Sequence, residues 1–179
     1  MAAHKNLVIL VNEKDEWQGT MEKMQAHKEG ALHRAFSVFV LNEKNEMLLQ
    51  RRALHKYHSP GLWSNTCCSH PMPGESTMAA AHRRLQEEMG FDCELAPAFH
   101  FRYRSPVGNG LVENEYDHIY VGSYNDNIEL NAEEACEYRY VALDDISAQI
   151  TTEPEKFTTW FRLVMPRFID HLQQQLQVA

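Results

Sequence analysis

The chain has 179 residues, with 17 Lys and Arg against 25 Asp and Glu, a net charge of -8, ten His and four Cys. That length suits one domain able to bury a real core, and 44% apolar content with 10% aromatics is not the composition of a disordered chain. The acidic balance argues against a general nucleic-acid binder, which needs a basic excess for its phosphate contacts, and against an anionic membrane surface.

In chain order, the apolar run Leu7 to Val11 is too short for a signal or a membrane span and reads as a first strand. Residues 35–41 are β-branched and aromatic, Asn42 to Asn45 have turn composition, and residues 47–51 follow, which together signal a hairpin. Pro60, Gly61, Pro71, Pro73 and Gly74 surround Cys67-Cys68-Ser69-His70, so residues 60–74 read as loop and irregular strand. Ser76 stands as an N-cap and Gly90 as a stop. Between them Met78, Ala81, Leu85 and Met89 form one apolar helical stripe, with Arg84, Glu87 and Glu88 off it. Residues 111–122 read as a strand that begins polar and ends apolar, 138–141 as another strand, and 143–150 as a short helix. From Lys156 to about Leu176 a helix is expected, since Phe157, Trp160, Phe161, Val164, Phe168 and Leu172 are spaced for one face. There is no repeat, low-complexity tract or linker, and no regular βαβ alternation. The expected fold is therefore α/β or α+β with a mixed sheet.

The four cysteines, Cys67, Cys68, Cys93 and Cys136, contain no CxxC pair, and no signal peptide accompanies them. Reduced thiols in a cytoplasmic protein are expected, with Cys93 and Cys136 as small buried hydrophobes. In extended backbone Cys68 and His70 share a face. A thiol beside an imidazole can be a nucleophile or an acid and base, or simply a buried Cys with a packing His. Glu113 and Glu115 project to the same side of a strand, roughly 6–7 Å apart. Carboxylates that close stay ionised only around a cation, or one takes up a proton; the plainer alternative is a solvated acidic edge strand. His27 and His33 do not share a helical face, but Gly30 between them permits a turn. On their own they read as two surface histidines. With His70 and the two glutamates they could complete a set of three nitrogens and two oxygens suited to Mn²⁺, Zn²⁺ or Mg²⁺. Arg83 with Glu87, and Arg84 with Glu88, are one helical turn apart and read as ordinary ion pairs. His55, His58, His82, His100 and His118 read as surface or packing residues. His4 and His171 lie near the ends, and the acidic stretch Glu129 to Glu137 reads as solvated surface.

The spacing of Glu75, Arg83, Arg84, Leu85, Glu87, Glu88 and Gly90 resembles the Nudix box. Two positions depart from it. Ser69 stands at the first glycine, and Arg84 stands where the hydrolases keep a metal-binding glutamate. A cation there would repel the metal. Over nearly its full length the chain is similar to one branch of that superfamily, the type I isopentenyl-diphosphate isomerases. The likeness runs through Met21-Glu22-Lys23-Met24 with His27 and His33, Gln50 to Lys56, Trp63 to Pro71, Phe101 to Arg104, Val112 to Glu115 and Trp160.

The resemblance implies a single compact Nudix-like domain over residues 1–179, a mixed β-sheet sandwiched by helices. Residues 1–30 would form an N-terminal strand and a metal and substrate loop, and residues 154–176 the C-terminal helix. It implies Cys68 and Glu115 as the acid and base, with Tyr103 in the proton path. His27, His33, His70, Glu113 and Glu115 would hold one divalent metal (Mn²⁺, Mg²⁺ or Zn²⁺), and Glu88 would help bind a second Mg²⁺ bridging to the diphosphate. Lys23, Arg52, Lys56 and Arg84 would contact the diphosphate, and Trp160 would face a carbocation. The chemistry suits these residue types, because moving a double bond adds a proton at one carbon and removes another nearby. A small diphosphate substrate, no nucleic acid or membrane partner, and a monomer are expected. The alternatives are a Nudix hydrolase of nucleoside diphosphate derivatives and a non-catalytic metal-binding domain.

Overall fold

A computed structural model describes residues 6–178, with side chains through residue 175; His4 lies outside them. The elements are β1 (Leu7–Val11), β2 (Trp17–Glu22), α1 (Lys23–Glu29), β3 (His33–Leu41), β4 (Glu46–Arg52), β5 (Trp63–Ser64) and β6 (Cys67–Ser69). They continue with α2 (Thr77–Met89), β7 (Leu95–Gly108), β8 (Leu111–Ser123), β9 (Ala135–Ala142), α3 (Leu143–Thr152), a 3-10 turn at Pro154–Lys156, and α4 (Thr159–Val178).

β3 is the centre of the molecule. It pairs in parallel with β8 from His33↔Glu115 to Leu41↔Ser123, and antiparallel with β6 and the end of β1. Its continuous apolar run has a physical reason: both faces are covered. Phe36, Val38 and Val40 pack with Ala81, Leu85 and Met89 of α2 on one side. Phe39 packs with Phe161 and Phe168 of α4 on the other, at 6.4 and 4.4 Å between ring centroids. The expected sandwich of a mixed sheet between helices is thus present.

The expected hairpin of β3 and β4 turns at Asn42–Asn45, but the strands part after the single pair Leu41↔Met47. The chain between β5 and β6 is wedged into the gap. Thr66 Oγ1 accepts from Val40 N at 2.9 Å and donates to Leu48 O at 2.7 Å, and Asn65 Nδ2 donates to Val38 O at 3.2 Å. These buried side chains stand in for ladder hydrogen bonds. β4 then pairs with β9 and β5 instead.

α2 has the expected bounds. Ser76 Oγ accepts from Ala79 N at 3.2 Å, and Gly90 ends the helix at φ 74°, where a Cβ would sit 2.3 Å from Glu129 O. The C-terminal helix begins later than expected, at Thr159. Phe157 is extended and bridges Trp63, and Thr158 N donates to Trp63 O at 2.9 Å, so this backbone is engaged in pairing before the helix can start. Three elements went unread in the sequence. β2 is an exposed edge strand, α1 has only seven residues, and β7 carries Pro97 and Pro106 at its two register shifts. The cysteines also need a correction: Cys93 is half-buried and Cys136 exposed. No helix among the described residues is long and apolar enough to cross a membrane.

Candidate active site

The site forms where β3 and β8 begin. α1 ends at Gly30, whose φ of 63° turns the chain, so His27 on the helix and His33 at the start of β3 meet. The parallel register sets His33 beside Glu115, and Glu113 lies two residues away on the same side of β8. His70 follows β6. One ligand atom from each of His27, His33, His70, Glu113 and Glu115 lies within 4.8 Å of all the others.

The donor pattern aims these atoms at one point. His27 Nδ1 meets Lys23 O at 2.6 Å and His33 Nδ1 meets Ala31 O at 2.8 Å, so each Nδ1 carries the proton and each Nε2 keeps a lone pair. His33 Nε2 then faces His70 Nε2 at 3.1 Å, and His70 Nε2 lies 2.9 Å from Glu115 Oε1. His27 Nε2 and Glu113 Oε2 are 3.2 Å apart without hydrogen-bond geometry, and both are buried with no partner. Burial, with Lys23 and His33 beside it, holds His70 well below the usual imidazole range and so neutral. Converging lone pairs and carboxylates with orphaned atoms among them are what a divalent cation satisfies. The five residues could hold a metal ion.

Beside this cluster lies an open cleft. Cys68, Glu115, Tyr103 and Trp160 line it, with Lys23, Arg52, Lys56, Arg84 and Glu88. Burial pushes the Cys68 thiol up, against the pull of Arg52, so it keeps its proton. Burial also raises Glu115, but the neighbouring His33, whose Nε2 lies 3.6 Å from Oε1, and the Tyr103 hydroxyl bring the carboxyl below its ordinary range. Tyr103 Oη donates to Glu115 Oε2 at 2.6 Å, and burial holds the phenol well above its ordinary value. A protonated thiol and an ionised carboxylate therefore share one cleft. The Trp160 ring is fixed by Nε1 donating to Ser64 Oγ at 2.9 Å and by the Arg52 guanidinium 5.2 Å from its centroid.

All the residues singled out in the sequence converge here, with His27 and His33 buried just behind the cleft wall. Three more were missed: His58, Glu134, and Tyr57, which lines the cleft with Lys23 Nζ 5.5 Å from its ring centroid. His58, taken as a surface or packing residue, is 4% exposed and lines the cleft, its Nε2 3.3 Å from Glu113 Oε1 and its ring edge-on to Trp160. Burial drives it down to about 3, so it is neutral. Glu134, placed in a solvated acidic surface, meets Lys56 Nζ at 2.5 Å and Arg84 Nη2 at 3.0 Å. His58 and Glu134 both sit on loops, where no periodicity marks a buried position. Of the Nudix-box pairs, Arg84 meets Glu88 at 2.7 Å, while Gln50 Nε2 donates to the other oxygen of Glu88 at 2.9 Å. Arg83 grips Glu75 through two hydrogen bonds at 2.7 and 2.8 Å.

Residues 31–161 match the NUDIX domain. The fold agrees: the protein DR0079 of Deinococcus radiodurans superposes with a TM-score of 0.76 at 18% identity, over 90% of this chain and 98% of that one. A MutT protein of Methanosarcina mazei superposes with a TM-score of 0.64 at 22% identity, over 78% and 94%. In sequence, the isopentenyl-diphosphate Delta-isomerase of Pectobacterium atrosepticum is 50% identical, covering 93% of both chains. That of Serratia proteamaculans is 46% identical over 89% of both. The chain belongs to the isopentenyl-diphosphate Delta-isomerase family of NUDIX-domain proteins.

Proposed function

We propose that this chain interconverts isopentenyl diphosphate and dimethylallyl diphosphate, as the names of its relatives say of them. The observation that carries the reading is the pairing of a protonated Cys68 with an ionised Glu115 in one cleft beside a fixed tryptophan ring. Cys68 gives its proton to the terminal alkene carbon, leaving positive charge on the tertiary carbon. Glu115 takes a proton from the adjacent methylene, and that C–H electron pair becomes the new double bond. The two groups exchange roles in the reverse direction, and each turnover resets them by exchange with solvent protons.

Tyr103 holds Glu115 Oε2 and passes its proton onward. The Trp160 face stabilises the cation by roughly 0.5–2 kcal/mol without attacking it, and water, which would trap the cation, must be kept from it. Lys23, Arg52, Lys56 and Arg84 orient the diphosphate, the arginines through their forked donors. Mn²⁺, Mg²⁺ or Zn²⁺ held by His27, His33, His70, Glu113 and Glu115 would fix the Glu115 carboxylate and lower its basicity, and Glu88 would help hold a Mg²⁺ that offsets the diphosphate charge. Four free thiols suit a reducing, cytoplasmic compartment, and a monomer is the expected working form.

The test is incubation with isopentenyl diphosphate and Mg²⁺ in D2O, followed by NMR. Dimethylallyl product with deuterium uptake is expected. Release of phosphate without either would replace this reading with a hydrolase.

A further inference from the structure

Glu134 is the one charged residue of the cleft that the reaction above leaves without a task. Its backbone is anchored, since Ala53 N donates to Glu134 O at 3.0 Å and Asn131 N, in the same turn, donates to Glu88 O at 3.0 Å. From this fixed base its carboxylate reaches between two cations, Oε2 to Lys56 and Oε1 to Arg84. Arg84 Nη2 is shared with Glu88 Oε1 at 2.7 Å. Two carboxylate oxygens on a Lys–Arg pair occupy the places that two phosphoryl oxygens would take.

Around the cleft Lys23, Arg52, Lys56 and Arg84 face Glu88, Glu113, Glu115 and Glu134, four cations against four carboxylates. With no divalent ion at the five-residue cluster a bare diphosphate meets no cationic excess, and with or without one it must approach Glu134 and Glu88 at short range, where like charges repel.

We propose that Glu134 is an internal competitor for the anion: it occupies Lys56 and Arg84 in the free protein, and the cleft accepts a diphosphate readily only together with a divalent cation that offsets the Glu88–Glu134 pair. The inference rests on the reading of Lys56 and Arg84 as diphosphate contacts. It makes Glu134 a positioning and specificity residue that selects the metal-complexed anion over the free one.

The test is calorimetric titration of inorganic pyrophosphate into the full chain, in excess Mg²⁺ and again in EDTA. In EDTA, Glu134→Gln is expected to bind about tenfold more tightly than the parent, and in Mg²⁺ the gain shrinks to less than about threefold. Glu134→Ala, which removes the carboxylate altogether, moves in the same direction, and thermal melts check that both variants fold. Equal or weaker binding by both variants in EDTA would mean that Glu134 only holds Lys56 and Arg84 in place, and would overturn the proposal. So would an equal gain in the two conditions. If the parent failed to bind pyrophosphate even with Mg²⁺, the assignment of Lys56 and Arg84 would fall, and this inference with it.

Discussion

Cys67 and Cys68 are adjacent on β6, and the alternation of a strand sends them to opposite faces. Cys67 is fully buried among the residues that pack against α2. Cys68 turns toward the cleft and packs against the cluster that contains Trp160. One thiol packs the core and the other faces the cleft. Cys68→Ala is expected to lower turnover by at least roughly 10²–10⁴-fold, the range for loss of a positioned proton donor. Cys67→Ala should keep most of the activity at a cost of about 1 kcal/mol in stability. The NMR assay and urea unfolding measure the two effects, and an inactive Cys67→Ala with an active Cys68→Ala would reverse the assignment.

At the scale of elements, α2 joins the core to the cleft. Ala81, Leu85 and Met89 hold it against β3, while Arg84 and Glu88 reach the cleft from its last turns. The helix is fixed at both ends. Glu75, just before Ser76, is gripped by Arg83, and Asn131 donates from its backbone to Glu88 O and from its side chain to Glu87 O. The Arg83 hydrogen bonds, helped by Met72 N, hold Glu75 below its ordinary value of 4.5. A carboxyl lowered on folding contributes stability above its unfolded value, and that contribution is lost as pH falls through the folded value. Glu75→Gln should therefore be less stable than the parent at neutral pH, with the gap closing at pH values below about 4.5. Urea midpoints at pH 7 and pH 3.5 test this; a gap of the same size at both would rule out the ion pair as its source.

At the scale of the whole molecule, the five clustered ligands come from α1, β3, the segment after β6 and β8. A cation bound there would tie the N-terminal unit of β1, β2 and α1 to the central sheet, so metal binding is expected to contribute to folding. With free metal at 100 times its dissociation constant the gain is about 2.7 kcal/mol, which for a chain of this size corresponds to roughly 5–10 °C in thermal midpoint. EDTA should lower the midpoint by that amount and Mn²⁺ or Mg²⁺ should restore it, while His33→Asn should respond weakly to either. A midpoint indifferent to chelation in the parent protein would show that the cluster binds no metal of consequence.

Much of the site could be read locally. The cap at Ser76, the stop at Gly90, the period of α2, the shared face of Glu113 and Glu115, and the side-by-side placement of Cys68 and His70 all depend on spacing within a few residues, which backbone geometry converts directly into position. The meeting of these pieces could be named only through the family likeness. In the molecule it follows from the parallel pairing that sets His33 beside Glu115, and from Asn65 and Thr66 prying β3 from β4. His58 and Glu134 were legible in neither way. They lie on loops without a period, and their partners Glu113, Lys56 and Arg84 are distant in sequence. The sequence by itself determined most of the local elements, though not β2, α1 or β7, and the types of reactive group they carry. Only the tertiary structure decided which groups share the cleft and that two of its cations, Lys56 and Arg84, are already paired, because those contacts arise from long-range strand pairing and helix packing that no local spacing encodes.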